Sequence, residues 1–149
     1  MKFDRILVIA NETIAGKPLH RQISEMASDR AEVMVVAPAL SSRLKYAFSD
    51  VDGPREEARG RLDESLALMA ESGIRATGEV GDANPTLAFE DASAVFNPDA
   101  VIVSTHPEGR SNWLENGVVQ QIRERTQIPV THVVVDLDAV EHSPRPATA

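Results

Sequence analysis

Five short runs rich in Val, Ile and Leu, separated by longer stretches with helical spacing, constrain this chain's fold more than any other feature. The runs are Arg5-Ile6-Leu7-Val8-Ile9-Ala10, Glu32-Val33-Met34-Val35-Val36-Ala37, Ile74 to Val80, Asp99-Ala100-Val101-Ile102-Val103, and Pro129-Val130-Thr131-His132-Val133-Val134-Val135. A strand apolar at successive positions, such as the first, must be covered on both faces, as in a parallel sheet. The run from Ile74 to Val80 is more polar and makes a weaker strand.

Between the runs, apolar residues recur at helical spacing. Pro18 suits a first helical turn, and Leu19, Ile23, Met26 and Ala27 form one stripe to about Ser28. Pro54 opens a second helix with Ala58, Leu62, Leu66 and Met69 on one face, and Gly73 closes it. Glu57 and Arg61, four apart, mark its solvated side. Asn84-Pro85 caps a third helix with Ala88, Ala92 and Val95 inward. A fourth runs from about Gly117 to Arg125, whereas Ala39 to Gly53 shows no clear period. The order βαβαβαβαβ predicts an α/β fold: one doubly wound, five-stranded parallel sheet with helices on both faces, Rossmann-like in outline. The sequence shows neither an internal repeat nor a second domain. The expected domain covers 1–137, and the segment 138–149, with Pro144, Pro146 and small terminal residues, is expected to be disordered.

Composition narrows the function. The chain of 149 residues has 15 basic and 23 acidic side chains, a formal net charge of −8. That balance argues against nucleic acid and anionic membrane surfaces, which are held by Lys and Arg. It leaves room for a small anionic ligand at a locally positive loop or helix terminus. No apolar run approaches the roughly 20 residues of a membrane span. The charged Met1-Lys2-Phe3-Asp4-Arg5 start does not read as a signal peptide. Cysteine is absent, which removes disulfides, thiolate catalysis and thiolate metal sites and fits a reducing, cytoplasmic setting.

Ligands in doubly wound sheets bind beyond the carboxyl ends of the strands, where strand order reverses. The loops to inspect are therefore those after Ala10, Val36, Val80 and Val103. The densest polar cluster is Ser104-Thr105-His106-Pro107-Glu108-Gly109-Arg110-Ser111-Asn112-Trp113, which leads into Asn116-Gly117 and a helix N-terminus. Arg110 can form paired hydrogen bonds to a phosphate, Trp113 can stack on a ring, and the free N–H groups near Gly117 and Val118 can meet an anion. The same residue types also suit a purely structural loop, with Ser104 and Thr105 serving backbone groups and Trp113 packed on a helix. No Gly-x-Ser-x-Gly elbow, P-loop or Gly-x-Gly-x-x-Gly fingerprint is present. A phosphoacceptor reading is poorly served by Asn11 at the end of the first strand. His20, His132 and His142 are scattered, and no spacing makes them ligands.

From about Lys2 to Asp136 the chain resembles a universal stress protein domain. The resemblance rests on Arg5-Ile6-Leu7-Val8 followed by a polar loop, Gly81-Asp82-Ala83-Asn84-Pro85, Pro98-Asp99-Ala100-Val101-Ile102-Val103, the loop from Ser104 to Gly117, and Ile128-Pro129-Val130. It implies a five-stranded parallel sheet, homodimers, and in one branch binding of ATP or AMP. That branch carries an aspartate after its first strand and Gly-x2-Gly-x9-Gly-Ser/Thr after its fourth. Here Asn11 takes the aspartate position, Ser104 and Pro107 the first two glycines, Gly117 the third and Val118 the hydroxyl residue. Only Gly117 matches; Gly109 is an alternative middle glycine, and Arg110 and Ser111 offer another anion contact. Lost glycines matter because they let the backbone approach phosphate closely.

The leading expectation is a non-catalytic, universal stress protein-like binding or regulatory module, with its candidate ligand contacts at Ala10, Asn11, Ala37, Ser104, His106, Gly109, Arg110, Ser111, Gly117 and Val118. The alternative is an ATP- or AMP-binding protein with a nonstandard loop and weak phosphohydrolase activity. An enzyme with His106 as general base is a third class. The resemblance places the apolar last strand, Val130 to Val135, at a sheet edge, where pairing with its twin would give a homodimer; the alternative is a monomer whose tail after Leu137 folds back over that edge.

Overall fold

The computed structural model of the chain describes residues 2–10, 17–38, 53–82, 84–105 and 117–135. In chain order these form β1 (Phe3–Ile9), α1 (Lys17–Met26), β2 (Ala27–Pro38), α2 (Gly53–Glu71), β3 (Ala76–Gly81), α3 (Pro85–Phe96), β4 (Ala100–Thr105), α4 (Val118–Arg125) and β5 (Val130–Val134). The strands make one parallel sheet in the order β3-β2-β1-β4-β5. The expected α/β architecture is therefore present. The segment expected to be disordered, 138–149, lies outside the described residues. No described helix is long and apolar enough to cross a membrane.

The order explains the two apolar layers. From β1 the chain winds through β2 to β3 on one side, then returns to β4 and β5 on the other. Leu19, Ile23 and Met26 of α1 and Leu62 and Met69 of α2 pack on one face against Ile6, Val8, Val33, Val35 and Ile102. Ala88, Phe89, Ala92 and Phe96 of α3 and Val118, Val119 and Ile122 of α4 cover the other, against Leu7, Ile9, Met34, Val36, Val101 and Val103. Alternation along β1 thus sends successive residues into different layers, both dry.

Three local readings are corrected. Val95 is 76% exposed, because α3 turns its two phenylalanines, Phe89 and Phe96, inward and the stripe follows them. The strand after α1 begins at Ala27, five residues before the apolar run, with an irregular register between Phe3↔Ala27 and Arg5↔Glu32. Its polar start is held by side chains: the Ser28 hydroxyl donates to Asp4 Oδ1 at 2.6 Å and accepts from the Arg30 N–H. Ser104 and Thr105 belong to β4 and are buried, although their polarity reads as a loop.

The amino end of the sheet is closed by Arg5. Its Nη1 contacts Glu32 Oε1 at 2.6 Å, its Nε donates to the Phe96 carbonyl at 2.8 Å, and its guanidinium carbon lies 4.2 Å from the Phe96 ring centroid. Beside it Asp99 Oδ2 accepts the N–H groups of Asp4 and Arg5, while the Asp99 N–H donates to the Arg5 carbonyl at 2.7 Å.

Two positions test this account. Asn84 Oδ1 accepts from the N–H groups of Thr86 and Leu87 as the N-cap of α3, so Asn84→Ala is expected to cost about 1 kcal/mol in urea unfolding. A Cβ on Gly78 would lie 2.7–2.9 Å from three side-chain carbons of Leu62, which is fully buried. Gly78→Ala should therefore cost about 1–3 kcal/mol, and Leu62→Ala about 2–5 kcal/mol. Because the two side chains compete for one space, the double variant should lose less than the sum of the singles.

Candidate functional site

β1 and β4 lie side by side and mark the reversal of strand order, with Ile9 in register with Val103 on one side and Val36 on the other. One residue further on, Ala10, Ala37 and Ser104 stand level at the carboxyl ends of β1, β2 and β4. All three are buried, and the Ala10 N–H donates to the Val36 carbonyl at 3.1 Å. The structure thus brings together three residues expected at the site. Asn11, His106, Gly109, Arg110 and Ser111 lie outside the described residues, as do Pro107, Trp113 and Asn116.

Gly117 and Val118 form the start of α4 at this same end of the sheet. The sequence places the helix start near Gly117, and Gly117 is its N-cap, with φ 67° and ψ 32°. That left-handed conformation favours glycine, while a Cβ there would meet no atom within 4 Å. Glycine is thus required by the backbone angle, and the space above it is open. Among the described residues no side chain caps the first turn of α4, in contrast to Asn84 on α3. The first N–H groups of α4 carry the positive end of the helix. The two helix starts are joined through the Thr86 hydroxyl, which donates to Gln121 Oε1 at 2.9 Å.

One polar pair at this end was not legible in the residue pattern. Thr105 Oγ1 and His132 Nε2 share a hydrogen bond of 2.7 Å between β4 and β5. The sequence offers His132 only as the one imidazole in an apolar run; the pairing appears once Thr105 is counted as strand and set beside Val134 in register. Burial, and then the nearby Arg123 guanidinium, lower the His132 pKa from its usual value of about 6.5. With the imidazole neutral, the Thr105 hydroxyl can donate to Nε2. Arg123 itself is tied to β5, its Nη2 donating to the Val130 carbonyl at 3.2 Å.

The lowered value sets a sign. Below about pH 6.5 the unfolded chain takes up a proton at His132 more readily than the folded one, so stability falls as the pH drops through that window. Above it the contribution is fully present. Urea unfolding of the wild type and of His132→Asn between pH 7.5 and 5 should show the variant losing less stability on acidification. Parallel pH profiles would contradict the assignment.

The arrangement brings buried strand ends and the start of α4, with Gly117 as its N-cap, to one end of the sheet. Such a site can bind an anionic group through N–H donors. Among the described residues no cluster of three or more His, Asp or Glu could hold a metal ion.

The sequence matches no protein-family model and no curated protein. Solved structures do match. A universal stress protein family member from Burkholderia pseudomallei superposes with a TM-score of 0.63 at 18% identity, covering 87% of this chain and 95% of that one. A universal stress protein in complex with cAMP gives 0.54 at 14% identity, over 91% of this chain and 100% of the other. A universal stress protein family protein from Arabidopsis thaliana with AMP bound gives 0.55 at 12% identity, over 98% and 99%. Each match spans nearly all of both chains, so the similarity is one of whole domains. Over most of its length this chain has the fold of the universal stress proteins.

Proposed function

We propose that the chain is a nucleotide-responsive binding module whose carboxyl-end crevice takes the phosphate of an adenine nucleotide such as AMP or ATP. The observation that carries this reading is the start of α4. It opens at the sheet's switch point with Gly117, in the left-handed conformation, as its N-cap. Two proteins of the same fold carry AMP and cAMP, which supports the ligand class. The residues present fit such a group in part. Gly117 carries no side chain at the helix start, and Ser104 lies at the end of β4. Ser104, however, stands where the nucleotide-binding branch has a glycine, which holds the phosphate further from the β4 backbone. A bound nucleotide would supply negative charge to the N–H groups of α4, and this chain's own part is to orient and neutralise it. No catalytic step is assigned.

The second part of the proposal is assembly as a homodimer through β5. That strand is at a sheet edge, and Val134 on it is 48% exposed. An apolar edge of this kind favours pairing with another strand.

Thermal unfolding with saturating AMP, ATP or cAMP tests the ligand. A ligand at about 100 times its dissociation constant adds about 2.7 kcal/mol, a rise of several degrees in Tm for a domain of this size. Gly117→Val, which strains the helix start, should abolish the rise. Unchanged melting curves with all three nucleotides would overturn the ligand class and leave a module for some other ligand.

A further inference from the structure

A groove open to solvent lies between α2 and the outer edge of β3, two strands away from the switch point. Its volume is about 470 Å³, and among the described residues it is lined by Glu56 and Arg59 of α2 and Gly78, Glu79 and Val80 of β3. Small-molecule sites commonly enclose about 300–1,000 Å³.

Local packing makes this groove. The Val33 N–H donates to the Arg75 carbonyl at 2.9 Å, and Val35 is in register with Gly78. The N–H and carbonyl of Gly78 therefore turn away from β2, towards the edge. A Cβ on Gly78 would lie 2.7–2.9 Å from three Leu62 carbons, so α2 sits directly on the β3 backbone there. One turn nearer the start of α2, Arg59 reaches over the strand. Its Nη1 donates to the Gly78 carbonyl at 3.3 Å, and its Nε lies 3.5 Å from Asp63 Oδ1. Two anchors thus fix the guanidinium, and its Nη2 N–H groups have no partner among the described residues.

Those anchors limit what the groove can take. An added peptide strand would need the Gly78 carbonyl, which Arg59 already holds; a small solute would not. The charged groups lining the groove are one guanidinium and the two carboxylates of Glu56 and Glu79. Neither carboxylate has a hydrogen bond or ion pair among the described residues. Glu56 and Arg59, three apart on one helix, are neighbours on its surface. The complementary solute carries one carboxylate and two cationic groups, the charge pattern of a free basic amino acid. We propose that this groove binds a basic α-amino acid of the lysine type, its carboxylate on Arg59 and its two ammonium groups on Glu56 and Glu79. A diamine would leave Arg59 facing cations, and an amino acid with an apolar side chain would leave one carboxylate unpaired. The site is separate from the nucleotide site proposed at α4, and neither reading depends on the other.

Contacts of this kind are individually weak. Exposed ion pairs contribute little and are screened by salt, so a dissociation constant of about 1 mM is expected at low ionic strength, weakening at high salt.

Backbone amide NMR shifts of the full chain, titrated with L-lysine at low salt, test the site. Lysine should move the amides of Gly78, Glu79 and Val80 in a saturable way. Three analogues each lack one charged group: cadaverine the carboxylate, ε-aminocaproate the α-ammonium and norleucine the side-chain ammonium. Each should bind roughly three- to tenfold more weakly than lysine. Arg59→Gln should weaken lysine by a similar factor without weakening cadaverine, whereas Glu79→Gln should weaken both. Should Glu79→Gln disturb β3, Glu56→Gln on the helix carries the same test. No saturable shift at these amides up to tens of millimolar lysine overturns the proposal. Equal binding of lysine and cadaverine overturns the carboxylate contact, and equal binding of lysine and norleucine overturns the basic class. A lysine affinity unchanged in the Arg59 and glutamate variants overturns the site itself.

Discussion

The structure depends on the complete burial of β1 between two neighbours and two helical layers. Ile6, Leu7, Val8, Ile9 and Ala10 have no exposed surface. Their backbone groups must be satisfied by β2 and β4, since water is excluded, and a continuous apolar segment leaves no face for solvent. Once β1 is central, one helix pair must cover each side of it. β1 is followed by α1 on one face and β4 by α4 on the other, so the reversal of strand order falls between them. The candidate site is in this sense a by-product of where the most apolar strand sits.

Charge completes the frame at the opposite end. Arg5 reaches β2 through Glu32 and the end of α3 through Phe96, while Asp99 gathers the N–H groups of Asp4 and Arg5. The exposed ion pair contributes little alone, since surface pairs add about 0–1 kcal/mol. The same guanidinium also satisfies a carbonyl and lies on an aromatic ring, so its effect is geometric: it fixes where α3 hands over to β4. The carboxyl end has no equivalent clamp among the described residues, and the glycine N-cap of α4 contrasts with the Asn84 cap of α3.

Much of this fold was legible in the sequence because its strands announce themselves. Doubly covered strands need a continuous apolar run, and β1, β2 and β4 show one. The Asn84-Pro85 cap and Gly117 at a helix start were legible for local reasons, a side-chain acceptor and a left-handed backbone. The misreadings share another cause. Ser28 to Arg30 enter a strand because Asp4 and Ser28 bind each other across chains of different sequence position, which local pattern does not register. Ser104 and Thr105 are polar yet buried because β1 and β5 flank them. Val95 looked inward by spacing, but Phe89 and Phe96 decide the helix's rotation by their greater apolar area. The site was legible as a location, through topology; the Thr105–His132 pair was not, since it joins residues 27 apart and depends on strand register.

The bond between Asp99 and the start of β1 has a consequence for how the chain acquires its structure. Asp4 and Asp99 are separated by 95 residues. β1 can pair with β2 early, but its other edge, equally apolar, must wait for β4. Closing contacts so distant in sequence delays folding, because chain entropy is lost before those contacts compensate it. During synthesis the most hydrophobic strand of the protein would thus wait with one edge unpaired until nearly a hundred further residues had been made. That interval, more than the finished fold, is when the nascent chain is most exposed to misassociation and most dependent on chaperones.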